Sequence, residues 1–451
     1  MTNFKKRFLC FSCLAALVFA TTLSFAEESA ATLRLKKRSA EFTPEVIQVA
    51  DDVYTSVGHT VSTVSMIVGT DGLIVIDTGL DATKGKLILS EFRKITDKPV
   101  RGIVFTHNHG DHIGGASAFV GDAKPQVWGH SNFGSEARPL NNGGVTFQRQ
   151  RGMRQAGLLL PDSKRINNGV APAQRPHGRR NAFRGKAKTT HLLEGDRQKV
   201  EIAGVTMELV DAQGETKDQL YVWLPKQRVL FAGDNFYKSF PNLCAIRGTP
   251  QRDVRVWADS LDKMLKEKAV VLVGGHTRPI VGVDKVREYL TDYRDAVRLI
   301  HDKTVEGMNK GLTPDQLVEY VQLPERLASK DYLHPYYGHP EWGVRSVFNF
   351  YLGWFDGNPT NLFRLTPREE AQRMVELVGS KDKLYQRAKE AFGKGDAQWT
   401  TQLVDYLLAL DSNSERAKLL KADALTMLGE RCVTATGRNY YLTVAQELRD
   451  Q

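Results

Sequence analysis

The sequence predicts an α/β domain followed by an all-α one, and three observations carry this expectation. Short β-branched runs recur through the first three hundred residues, several ending in Asp or His beside glycine. From about residue 311 the composition turns helical, with apolar residues at i, i+3 and i+4 spacing. At 451 residues the chain is also too long for one average domain.

The chain begins outside both domains. Lys5, Lys6 and Arg7 precede an apolar run from Phe8 to Phe19, and Ser24-Phe-Ala26 precedes Glu27. That is the layout of a secretory signal peptide over residues 1–26, and it implies export to the periplasm or the medium. The run is short for a span of about 20 residues and no other segment is apolar enough, so no stable membrane insertion is expected after cleavage. Cys10 and Cys13 fall within the signal, leaving Cys244 and Cys432 as two free or buried thiols rather than a disulfide scaffold. Losing Lys5, Lys6 and Arg7 takes the formal charge from +10 to +7, a bias toward anionic partners. The basic patches at Arg149, Arg151 and Arg154 and from Arg175 to Lys188 lack regularly interleaved aromatics, so no nucleic acid partner is expected.

Within residues 27–310, Ser65 to Asp77 reads as two short strands about an Asp71-Gly72 turn. Pro99 to Thr106 reads as a buried strand, and Gly110, Gly114 and Gly115 punctuate the turn after it. The loop at its end is Thr106-His-Asn-His-Gly-Asp-His112, which holds three of the eleven histidines. Imidazoles with a carboxylate suit zinc or a similar divalent ion, and the H-x-H-x-D-H spacing is too tight for one tetrahedral ion to use every side chain. Two neighbouring ions would use all four. Val229 to Asp234 and Val270 to His276 repeat the design, each an apolar strand ending in a possible ligand.

These motifs resemble the metallo-β-lactamase superfamily. The resemblance implies an αββα sandwich with two zinc ions at one edge of the paired sheets, Asp77 organising the metal loops, Asp234 bridging the ions and His276 as the last metal histidine. One departure is informative: in Val210 to Gln219 this chain has Glu215 where lactamase-like and glyoxalase-like members carry a histidine. One ion would then be held by His107, His109 and Glu215, and the other by Asp111, His112 and His276. Three carboxylates and a hydroxide around two divalent ions sum to about zero charge, so binding an anion calls for added positive charge. The stretch Phe231 to Gly248 looks like the alkylsulfatase branch, where an Asn-Leu-x-x-x-Arg-Gly segment follows the bridging carboxylate. Arg247 supplies the charge, since a planar guanidinium grips two sulfate oxygens at once. Asp111 and Arg247 are the catalytic candidates, and Arg247 and Asn242 the substrate contacts.

In residues 311–451, amphipathic helices are expected over Lys381 to Gly393, Ala397 to Leu410 and Glu415 to Gly429, too few for a self-sufficient tetratricopeptide-like solenoid. The aromatic stretch Trp342 to Pro359 reads as helical core and interface, closed by Gly-Asn-Pro. Tyr336-Tyr-Gly-His339, Tyr351 to Pro359, Ala424 to Gly429, Arg438 to Leu442 and Glu447-Leu-Arg449 look like the helical dimerisation domain of linear alkylsulfatases. That resemblance implies a homodimer. The chain stops at Gln451, where larger members continue into a sterol-carrier-like domain. The expected function is hydrolysis of a small anionic amphiphile, a dodecyl sulfate-like ester of a linear alcohol, to alcohol and inorganic sulfate. A lactonase, β-lactamase or phosphodiesterase is the competing enzyme class, against which Glu215 and Arg247 argue. A noncatalytic metal-binding interaction protein competes less well, because all seven ligands are kept.

Overall fold

The computed structural model describes residues 28–136, 143–174 and 187–450. The expected signal peptide, its two cysteines and most of the basic stretch from Arg175 to Lys188 lie outside them. Two sheets face each other. The first has β1 (Glu45–Ala50), β2 (Val53–Val57), β3 (Val64–Val68), β4 (Leu73–Ile76), β5 (Val100–Val104), β6 (Gln126–His130) and β7 (His191–Leu193), side by side in chain order. The second runs β13-β12-β11-β10-β9-β8, with β8 (Arg197–Ile202), β9 (Val205–Asp211), β10 (Leu220–Leu224), β11 (Val229–Gly233), β12 (Val271–Gly274) and β13 (Ile280–Val281).

The expected hairpin is β3 with β4, paired antiparallel from Ser65↔Ile76 to Val68↔Leu73. β4, β10, β11 and β12 are buried along their whole length. That is why each reads as an unbroken apolar run: both faces are covered, so no polar face alternates with the apolar one. Ile67, Ile74, Val104, Leu209, Val222 and Phe231 interleave between the sheets. The helix Ala82–Phe92 closes the outer face of the first sheet with Ile88 and Phe92, and Val254–Lys266 and Val283–Asn309 close that of the second. The layers are therefore αββα.

The helices of the C-terminal part follow their apolar periodicity. Lys381–Gly393, Ala397–Leu410 and Glu415–Arg431 form at the expected places, and their apolar stripes share a core at Leu384, Val404 and Leu420. The aromatic stretch divides in two. In the helix Pro340–Leu352, Val344, Val347 and Phe348 are buried against the Val283–Asn309 helix, whereas Phe350, Tyr351, Leu352 and the following Trp354 are exposed. Gly353, at φ 73°, ends this helix before the Gly-Asn-Pro segment is reached, because a left-handed residue cannot continue it. One apolar core runs from Val210 through Ile300 to Phe348, so packing is continuous across residue 310. Cys244 and Cys432 are both free thiols, and no helix among the described residues is long and apolar enough to cross a membrane.

Candidate metal centre

Several strands deliver side chains to one edge of the sandwich. β4 leads into Asp77, β5 into the Thr106 to His112 loop, β9 into the loop carrying Glu215, β11 into Asp234 and β12 toward His276. β4 with β5 and β11 with β12 are parallel pairs. Parallel pairing brings C-terminal strand ends together, which is what gathers residues far apart in the chain.

All seven expected ligands converge. Their donor atoms fall into three overlapping groups, each within 4.8 Å: His107, His112 and Asp234; Asp111, His112 and His276; and His109, Glu215 and Asp234. Asp234 sits in the middle. Its Oδ1 is 3.2 Å from His112 Nε2 and 3.2 Å from His276 Nε2, while Oδ2 lies 3.7 Å from His107 Nε2. His109 Nδ1 is 3.9 Å from Glu215 Oε1. Gly275 makes room: a Cβ there would stand 1.9 Å from Asp234 Oδ1.

Asp77 does the organising expected of it. Oδ1 accepts from the Thr106 N–H and Oδ2 from the Thr106 hydroxyl, each at 2.8 Å, and Oδ2 is 2.8 Å from His112 Nδ1. Its φ of 57° is a left-handed backbone in which Asp is tolerated. With Nδ1 engaged, His112 turns Nε2 to the centre, and the Val61 carbonyl does the same for His276 through Nδ1 at 2.9 Å.

The electrostatics are those of carboxylates and imidazoles packed against one another in a buried cluster. Burial alone would lower His112, yet Asp234, Asp77 and Asp111 lift it well above the ordinary imidazole value. Burial lowers His107 and His109 well below that value, leaving them neutral. Asp234, which burial alone would raise, is held well below the carboxylate range by His276 and His112. Glu215 is raised to about 7, chiefly by burial, against the pull of Arg252.

A cavity of about 270 Å³ opens on this cluster, bordered by Asp111, Glu215, His276, Arg247 and Tyr337. The Arg247 guanidinium makes no hydrogen bond or ion pair with the described residues, while its backbone N–H donates to Gln155 Oε1 at 3.1 Å. Gln155 belongs to the helix Phe147–Gln155, two of whose three arginines are structural. Arg151 donates to the Ile246 carbonyl, and Arg154 pairs with Glu447 at 2.7 Å. Asn242 does not border the cavity. It is buried, its N–H donates to the Tyr237 hydroxyl at 2.7 Å and its carbonyl accepts from Arg252. Two site residues escaped the sequence reading. Arg252 is buried against Glu215 at 2.5 Å, a long-range pairing with no local signal. Tyr337 lies in the Tyr336 to His339 stretch, which was legible only as a marker of the helical domain. Its hydroxyl, pushed up to about 12 by burial against the opposing Arg247, stays protonated.

Known proteins resemble this chain over most of its length. Residues 57–276 match the metallo-beta-lactamase superfamily and residues 313–451 the alkyl sulfatase dimerisation family. A linear primary-alkylsulfatase of Pseudomonas sp. is 37% identical over 393 residues, 85% of this chain and 73% of its own length. An (R)-specific secondary-alkylsulfatase of Pseudomonas sp. is 32% identical over 417 residues, and this chain spans 62% of its length. The solved structure of a stereoselective inverting sec-alkylsulfatase from Pseudomonas sp. superposes with a TM-score of 0.85 at 31% identity, covering 93% of this chain and 67% of that one. With the αββα layers, the clustered ligands and the helical domain in agreement, the chain belongs to the alkylsulfatase family of the metallo-β-lactamase superfamily.

Proposed function

We propose that this protein hydrolyses sulfate esters of linear primary alcohols, of the dodecyl sulfate kind, using two zinc ions held at the edge of the sandwich. The observation that carries the reading is Arg247: a guanidinium unpaired among the described residues, lining the same cavity as the ligand cluster. A neutral lactone has no anion for such a charge to hold, whereas a sulfate ester has one, and the likeness to alkylsulfatases favours sulfate over other anionic substrates.

The residues fit the ions. His107 Nε2, His112 Nε2, Glu215 Oε2 and Asp234 Oδ1 are buried without a hydrogen-bond partner, and orphaned polar atoms of this kind need a ligand to offset their desolvation. His107, His109 and Glu215 would hold one ion, Asp111, His112 and His276 the other, with Asp234 between. Two such ions supply Lewis acidity and lower the pKa of water toward neutrality. The protein supplies the rest. Arg247 and the protonated Tyr337 hydroxyl, which both border the cavity, would donate to the sulfate oxygens of a bound ester. Asp111, on the cavity border, presents a carboxylate that can accept a hydrogen bond from the attacking water. Buried Arg252 favours the anionic form of Glu215. Val61, Leu80, Ala156 and Val170 give the cavity apolar wall against which the first methylenes of the ester can rest. Sulfate release from dodecyl sulfate, measured beside lactam, lactone and phosphodiester turnover, tests the reading, and turnover of only the latter three overturns it.

The same reading includes assembly and location. The exposed row Phe350, Tyr351, Leu352 and Trp354, with Leu362, Phe363 and Leu365 after it, suits the face of a homodimer, since obligate interfaces are large and apolar. Export rests on the charged and apolar N-terminal pattern, and N-terminal sequencing of secreted protein should begin at Glu27.

A further inference from the structure

We propose that Asp218 is a positioning residue that locks the His107 to His109 loop to the Glu215 loop and so sets the spacing of one metal ion's ligands. His112 and His276 each have a dedicated acceptor on Nδ1, in Asp77 and the Val61 carbonyl. His109 has none: its ring nitrogens make no hydrogen bond with the described residues, so its placement depends on the loop that carries it. That loop is held from the middle. Asn108, between the two histidines, donates through Nδ2 to Asp218 Oδ2 at 2.7 Å. The same oxygen accepts the Gly134 N–H at 2.9 Å, and Oδ1 accepts the Thr216 hydroxyl at 2.6 Å. Thr216 adjoins Glu215. One carboxylate therefore joins the loops after β5, β6 and β9.

Asp218 is fully buried and belongs to none of the three donor groups. Its oxygens are occupied by donors, so its work is geometric, and His109 Nδ1 faces Glu215 Oε1 at 3.9 Å across the junction it closes. Partners one step removed from a metal ligand typically change metal affinity or activity by about 10–100-fold when lost.

This inference rests on the two-ion reading, and the experiment separates them. Wild-type protein, Asp218→Ala, Asp218→Asn and Asn108→Ala are loaded with zinc, dialysed against graded chelator and analysed for metal per chain, with far-UV circular dichroism to monitor the fold. Wild-type protein holding fewer than two ions overturns the two-ion reading itself. With two ions in the wild type, Asp218→Ala should hold one of them about 10–100-fold more weakly and keep the other. Asp218→Asn should restore retention, because an amide oxygen can accept from Asn108 and Gly134 while its NH2 donates to the Thr216 oxygen. Asn108→Ala, which removes a single donor, should weaken the same ion to a smaller extent and carries the test if Asp218→Ala does not fold. Wild-type retention in Asp218→Ala, or in Asn108→Ala where that variant stands in, overturns the proposal. So does an Asp218→Asn variant as weak as the alanine.

Discussion

Arg252 lies 2.5 Å from Glu215 in a buried ion pair beside the ligand cluster. Glu215 brings a buried negative charge to the cluster, and this arginine is its counterweight. Removing one partner of such a pair strands the other. Arg252→Met should therefore destabilise the metal-free protein by about 3–5 kcal/mol in urea denaturation. A loss below about 1 kcal/mol, the scale of an exposed pair, would show that this one is not needed for folding.

Asp234 contacts His107, His112 and His276 at once. Asp234→Ala should weaken both ions, whereas His276→Ala should chiefly release one. Elemental analysis after dialysis distinguishes the two patterns, and equal losses in both variants would remove Asp234 from the bridging position.

Arg247→Lys keeps the charge at the cavity and loses the fork. Transition-state binding of an alkyl sulfate should fall by about 2–3 kcal/mol in kcat/KM. Unchanged kinetics would mean that the sulfate is held elsewhere.

His334 provides a pH test away from the metal ligands. Burial, helped by Arg34 and Arg38, lowers it to about 4 in the folded protein, against about 6.5 in an unfolded chain. The unfolded state thus binds more protons between these values, so this group's contribution to stability is complete above about 6.5 and falls as pH drops toward about 4. His334→Gln should lose less stability than the wild type between about pH 7.5 and about pH 4.5. Parallel losses in denaturation experiments would contradict the assignment.

Trp354 is 74% exposed and Phe363 96% exposed, so both rings stand in water unless a second subunit covers them. Trp354→Glu with Phe363→Glu should shift sedimentation from dimer to monomer at micromolar concentration. A monomeric wild type would place the subunit contact in doubt altogether.

The sequence by itself marked β3, β4, β5, β11 and β12, which are largely buried and so read as apolar runs, and it marked the C-terminal helices, whose 3.6-residue stripes meet at Leu384, Val404 and Leu420. It also marked six candidate ligands, through the H-x-H-x-D-H loop and the strand ends carrying Asp234 and His276, while Glu215 came from the resemblance to the superfamily. What lay beyond it depends on distance along the chain. Arg252 against Glu215, Asp218 between Asn108 and Gly134, and Tyr337 reaching from the helical domain to the cavity are contacts that no spacing encodes. The aromatic stretch could be read as core or interface as a whole. Only packing against the Val283–Asn309 helix decided that Val344, Val347 and Phe348 are core while Phe350, Tyr351, Leu352 and Trp354 face outward. Asn242 was legible as part of a motif, but its burial behind Arg252 is a property of the folded loop. Periodicity records which face a residue turns inward, and tertiary structure alone decides what it meets there.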